Sequence, residues 1–135
     1  MIIAIDFDGT IVEHEFPRVG RPVDGAFEWM RAFQAAGAQL ILWTMRSDGP
    51  AGSVLLDAVQ HCRDHGIEFL GVNCNPGQSS WSSSPKAYAH VYIDDAAFGC
   101  PLRPRSHEYG RPFVDWSVVG PAVLEMIKNE KAKAA

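Results

Sequence analysis

The chain has 135 residues, 47% of them hydrophobic and 21% charged, and carries a net charge of −4. That length suits one compact domain with its own core and excludes a second of ordinary size. The negative balance argues against general affinity for nucleic acid, which rests on clustered Lys and Arg.

Residues 1–6 form a short, β-branched apolar run that stops at a carboxylate, which predicts a buried strand ending in a sharp turn. The run has no basic flank and is too short for a signal peptide or membrane span, so a cytoplasmic protein with no membrane contact is expected. After a Gly- and Pro-punctuated stretch, Asp24 is placed to cap a helix whose apolar positions Phe27, Met30, Phe33 and Ala36 run to a stop at Gly37. A second strand over 39–43 follows. A second helix is expected from about Ala51 to His65, with Val54, Leu55, Ala58, Val59 and Cys62 on its inner face. A third strand covers 68–72. Residues 73–84, rich in Asn and Ser with Trp81 among them, read as a loop. A helical turn over 85–89 and a fourth strand over 90–93 precede Asp94-Asp95. Residues 99–111 are irregular, and a last helix runs from about Ser117 to Lys131. Strands alternating with helices imply a mostly parallel central sheet covered by helices on both faces, a Rossmann-like three-layer α/β/α sandwich.

In such sheets ligands sit beyond the carboxyl ends of the strands. Asp6 and Asp8 follow the first strand, Thr44 the second, and Asp94 and Asp95 the fourth, with Lys86 just before it. Four carboxylates, a hydroxyl and an ammonium at one edge suit a hard cation and a phosphate. Two residues apart in extended chain, Asp6 and Asp8 share a face. Arg46 stands two residues past Thr44 and is a candidate for forking onto a substrate anion. His61 and His65 lie on the polar side of the second helix without a third metal ligand, so solvated histidines are expected. Cys62, Cys74 and Cys100 have no CxxC spacing and are read as free thiols, Cys62 as a core residue.

The run Asp6-Phe7-Asp8-Gly9-Thr10, followed by Thr44, Lys86 and Asp94-Asp95, resembles the haloacid-dehalogenase (HAD) superfamily over residues 1–99. Phe16-Pro17-Arg18-Val19-Gly20 and Leu42-Trp43-Thr44-Met45-Arg46 look like those of a group of small HAD hydrolases. The resemblance implies a phosphatase in which Asp6 attacks phosphorus and Asp8 protonates the leaving group and then activates water. Thr44 and Lys86 would bind the phosphoryl group. Asp6, Asp94 and the backbone carbonyl of Asp8 would hold Mg²⁺, with Asp95 a substitute ligand or a support behind them. A dehalogenase of the same superfamily would not be expected to carry Asp8.

Larger HAD enzymes insert a cap domain after the first motif or before the lysine, and residues 11–22 and 73–85 are too short for one. A single capless domain over 1–135 is therefore expected. Its open site suits a phosphorylated small molecule, or a homo-oligomer whose neighbour covers the opening. His14, Arg18 and Arg21 would lie in a flap over the site, and the Ser-rich stretch around Trp81 would set specificity. The alternatives are a nucleotide or polynucleotide-end phosphatase tracking its substrate with Arg18, Arg21, Arg103, Arg105 and Arg111, and a binding module that kept the fold without the chemistry.

Overall fold

A computed structural model describes residues 1–50 and 52–134. The aliphatic runs Ile2–Ile5 (β1), Gln39–Leu42 (β2), Phe69–Val72 (β3) and Val91–Ile93 (β4) form one sheet in the order β3-β2-β1-β4. All its pairings are parallel. Helices α1 (Ala26–Ala35) and α2 (Val54–Asp64) are the crossovers from β1 to β2 and from β2 to β3, and α3 (Trp116–Ala134) closes the fold. No helix among the described residues is long and apolar enough to cross a membrane.

The expected three-layer sandwich is corrected, because all three helices pack on one face. Ile3, Ile5, Leu40 and Leu42 share a core with Phe33 of α1, Cys62 of α2 and Val123 of α3. Ala4 and Ile41, pointing the other way, join Ala89 in a small separate cluster flanked by half-buried Ile2, Trp43 and Leu70. Topology explains the asymmetry. The steps β1 to β2 to β3 run in one direction, so right-handed crossovers put α1 and α2 on the same side. The return from β3 to β4 passes the opposite face, and residues 73–90 supply only irregular chain and a 3₁₀ turn over Pro76–Ser80. The helical turn expected over 85–89 does not form. Buried Gln78 pins the segment instead, donating to the carbonyls of Ser84 and Lys86 and accepting from the amide of Tyr88.

Helix ends differ from expectation in instructive ways. Asp24 does not cap α1; Gly25 holds the N-cap position at φ 86°. The C-terminus is as expected, with Gly37 at φ 98° and the Ala38 amide reaching back to the Phe33 carbonyl. The expected start of α2 at Ala51 lies outside the described residues. Its first turn is capped from upstream, Asp48 accepting from the amides of Leu55 and Leu56 at 2.8 and 3.2 Å. His61 and His65 are half-buried rather than solvated, the His65 ring stacking on Phe27 with centroids 4.0 Å apart. Burial pushes the His61 imidazole below its ordinary pKa, and raises the Cys62 thiol to about 12, as befits a core residue.

The irregular stretch after β4 contains a hairpin that no local pattern announces, β5 (Leu102–Arg103) with β6 (Phe113–Val114). It is fastened to the turn after β1. The Val114 amide donates to the Gly9 carbonyl at 3.0 Å, and the indole N–H of fully buried Trp116 donates to the Thr10 carbonyl at 2.7 Å. Trp116→Phe keeps most of the bulk but strands that carbonyl. A loss of about 1–3 kcal/mol in urea unfolding is expected, and an unchanged midpoint would show that the indole bond contributes nothing.

Candidate functional site

Each parallel strand delivers a polar residue to the carboxyl edge as its apolar run ends. Beyond β1 the chain turns tightly, with the amides of Thr10 and Ile11 on the Phe7 carbonyl. Gly9 sits there at φ 84°, and a Cβ on it would overlap both the His14 imidazole and the Asp95 carboxylate. The fully buried Thr10 hydroxyl donates to Asp6 at 3.0 Å and accepts from the Asp95 amide at 3.2 Å. It thereby clips the end of β1 to the end of β4. His14 places a ring nitrogen 2.9 Å from the Asp95 carboxylate.

Asp6, Asp94 and Asp95 consequently bring one carboxylate oxygen each to within 4.8 Å of one another. Opposite oxygens around a hard divalent cation stand about 4–5 Å apart, so the spacing fits such an ion. The electrostatics agree. Burial, the neighbouring Asp95 carboxyl and the charges of Asp94 and Asp95 raise the Asp6 pKa from 3.8 to about 8, against a smaller opposing effect of the Thr10 hydroxyl. Asp94 is also raised, chiefly by burial. A cation would supply the missing counter-charge.

A stability prediction follows. Without metal, the folded state keeps a proton on Asp6 that the unfolded chain releases near 3.8, so the folded state binds more protons across that interval. Stability in EDTA is therefore expected to fall as pH rises from about 4 to about 8, and added divalent cation to restore more of it at the alkaline end. Melting curves across that range check this; a flat profile in EDTA would contradict the raised Asp6.

Asp6 and Asp94 line a cleft of about 300 Å³ with Trp43, Thr44, Met45 and Asn73. The Thr44 hydroxyl accepts from the Arg46 amide at 3.1 Å, which leaves its own proton for a ligand. Asn73, just past β3, adopts φ 54° and accepts from the Thr44 amide at 2.7 Å. It is the one non-glycine residue at positive φ among the described residues, a conformation Asn tolerates better than most.

Two expected site residues stand elsewhere. Arg46 is not turned to solvent but buried, with all five N–H groups taken up. It forks onto Asp8 with two bonds of 2.8 Å, and its remaining three donors go to the carbonyls of Pro17, Arg18 and Val54. Nothing is left for a substrate anion, so the expected substrate contact is corrected to a brace on Asp8. The Asp8 side chain accordingly lies outside the carboxylate triad, leaving only its main chain to serve a cation. Lys86 forms no ion pair among the described residues; its exposed ammonium lies 5.2 Å from the centre of the Tyr92 ring.

Three contributors have no site role in the sequence pattern: Thr10 is an unassigned member of the opening motif, His14 belongs to the expected flap, and Asn73 opens the expected loop over 73–84. Asn73 had a usable signal, since an Asn directly after a strand at the ligand-bearing edge suits the left-handed turn.

No family model matches the chain, and no curated protein does either. A solved structure, described as that of the conserved protein coded by a locus of Bacteroides thetaiotaomicron, is 35% identical and superposes with a TM-score of 0.73. The match covers 93% of this chain and 91% of that one. With that identity sustained over nearly the whole of both, this chain belongs to the same family as the conserved Bacteroides thetaiotaomicron protein.

Proposed function

We propose that the chain is a Mg²⁺-dependent phosphomonoester hydrolase of the HAD superfamily, with Asp6 as nucleophile and Asp8 as acid and base. The observation that carries this reading is the meeting of Asp6, Asp94 and Asp95 within 4.8 Å, beside a Thr44 hydroxyl whose proton is unspent. Asp6, Asp94, Asp95 and the main-chain carbonyl of Asp8 would hold Mg²⁺, whose charge offsets repulsion between carboxylate and phosphate.

Asp6 attacks phosphorus, the bond from phosphorus to the leaving oxygen breaks, and Asp8, entering the step protonated at a lone pair that Arg46 leaves open, gives that oxygen its proton. A water then attacks the aspartyl phosphate while Asp8 takes its proton, releasing phosphate and the Asp6 carboxylate. Thr44 donates to the transferring group throughout. Arg46 occupies one lone pair on each Asp8 oxygen and leaves the others open, so it orients the acid without consuming it. His14, on one Asp95 oxygen, and Thr10, which accepts from the Asp95 amide, hold Asp95 in place. The reading requires Lys86 to leave Tyr92 and neutralise the phosphoryl group.

The test is phosphate release from a generic aryl phosphate. Turnover is expected with Mg²⁺, suppressed by EDTA and restored by excess Mg²⁺. No release with Mg²⁺, or equal release in EDTA, would overturn the assignment.

A further inference from the structure

A second cleft, of about 480 Å³, lies on the flap side of the carboxylates, lined by His14, Glu15, Phe16, Pro17, Arg18 and Arg111. Two links join it to the chemistry. His14 reaches Asp95 at 2.9 Å, and Arg46, which grips Asp8, donates to the carbonyls of Pro17 and Arg18. The Arg46 guanidinium lies over the rings of Phe7 and Phe16, at 4.9 and 5.2 Å from their centroids. Phe7 is buried, whereas Phe16 is 61% exposed and offers ring surface to the cleft.

Arg111, from the loop joining β5 to β6, completes the lining. That loop is tied to the flap by the Ser106 hydroxyl on Glu13 and by His107, 3.7 Å from Glu15. Arg18 is paired with Glu15 at 3.1 Å. Arg111 is exposed and forms no ion pair among the described residues. The cleft therefore presents two guanidiniums against one carboxylate, beside an open aromatic ring.

In the reaction proposed above, the phosphoryl group sits with Asp6 and Thr44 while the leaving oxygen must face Asp8. Asp8 is held beneath the flap, so the rest of the substrate extends toward this second cleft. We infer that the flap cleft is the leaving-group site and that it selects a leaving group bearing a second phosphate. Arg111 and Arg18 take that phosphate, and Phe16 packs against the ring that carries it. The inference rests on the phosphatase reading. It narrows the substrate class to small bisphosphorylated molecules, with a nucleoside or a sugar between the two phosphates.

The test compares kcat/KM for phosphate release, with Mg²⁺ present, in two pairs: a nucleoside bisphosphate against its monophosphate, and a hexose bisphosphate against its monophosphate. A preference of roughly tenfold or more for the bisphosphate is expected in at least one pair. Arg111→Ala and, separately, Arg18→Ala should each shrink that ratio. Added salt should shrink it too, since both guanidiniums are exposed. If the nucleoside pair shows the preference, Phe16→Ala should weaken it there. Equal kcat/KM in both pairs, or a preference that survives both arginine substitutions, overturns the inference. Turnover of an aryl phosphate without bisphosphate preference removes this inference alone, whereas no release from any phosphomonoester removes the phosphatase reading with it.

Discussion

Asp6→Asn is expected to abolish phosphate release while making the metal-free protein more stable. An amide is a poor nucleophile, and loss of the attacking group in covalent catalysis costs at least about a thousandfold in kcat. The stabilisation has a separate cause. Asp6 is crowded by Asp94 and Asp95, and its pKa of about 8 expresses how unfavourable its charge is there. Asn cannot ionise, and its amide can donate toward the neighbouring carboxyl of Asp95. The fall in stability of the EDTA-treated protein between about pH 4 and about pH 8 should therefore be much smaller in the variant. Divalent cation should also raise its melting temperature less. Paired measurements of phosphate release and melting against pH separate the two effects. Turnover equal to that of the parent would remove Asp6 as nucleophile, and an unaltered pH profile would show that the repulsion arises elsewhere.

Arg46→Ala should be among the most destabilising single changes in this chain, by about 3–5 kcal/mol in urea unfolding. The substitution leaves the Asp8 carboxylate half-buried without its partner and removes the donors held by the carbonyls of Pro17, Arg18 and Val54. It also removes the cation lying over the rings of Phe7 and Phe16. Arg46→Lys should recover little, because a single ammonium cannot reproduce a planar fork with bonds on both sides. In the phosphatase reading Arg46 is a positioning residue. The lysine variant, assayed well below its melting temperature, should lower kcat by about a hundredfold with KM much less changed, since Asp8 loses its orientation and not the substrate its binding site. A predominant effect on KM would return Arg46 to the substrate.

The residues of the site differ in how legible they were. Asp6, Thr44 and Asp94 were recognisable because each directly follows an apolar run, and in a parallel sheet every such run ends at the same edge. Neither the inward turn of Arg46 nor the stand-off of Lys86 could be read the same way. Each depends on where a long side chain finds partners, and those partners, Asp8 with the carbonyls of Pro17, Arg18 and Val54 for Arg46 and Tyr92 for Lys86, lie on other segments. The β5–β6 hairpin was illegible for a related reason. Two-residue strands carry no periodicity, and this pair is held by long-range bonds from Val114 and Trp116 to the turn after β1.

By itself the sequence determined the parallel α/β character, the chain order of the four parallel strands and three helices, and which strand ends bear the polar residues, because these follow from local apolar runs, chain direction and the alternation of strand and helix. Only the tertiary structure decided that all three helices share one face, since that depends on the order β3-β2-β1-β4 and on a return crossover too irregular to form a layer. It alone decided the division of labour among the aspartates as well. Asp6, Asp94 and Asp95 converge while Asp8 turns to Arg46, because a buried guanidinium takes the acceptors nearest to it in space, and sequence distance does not record that.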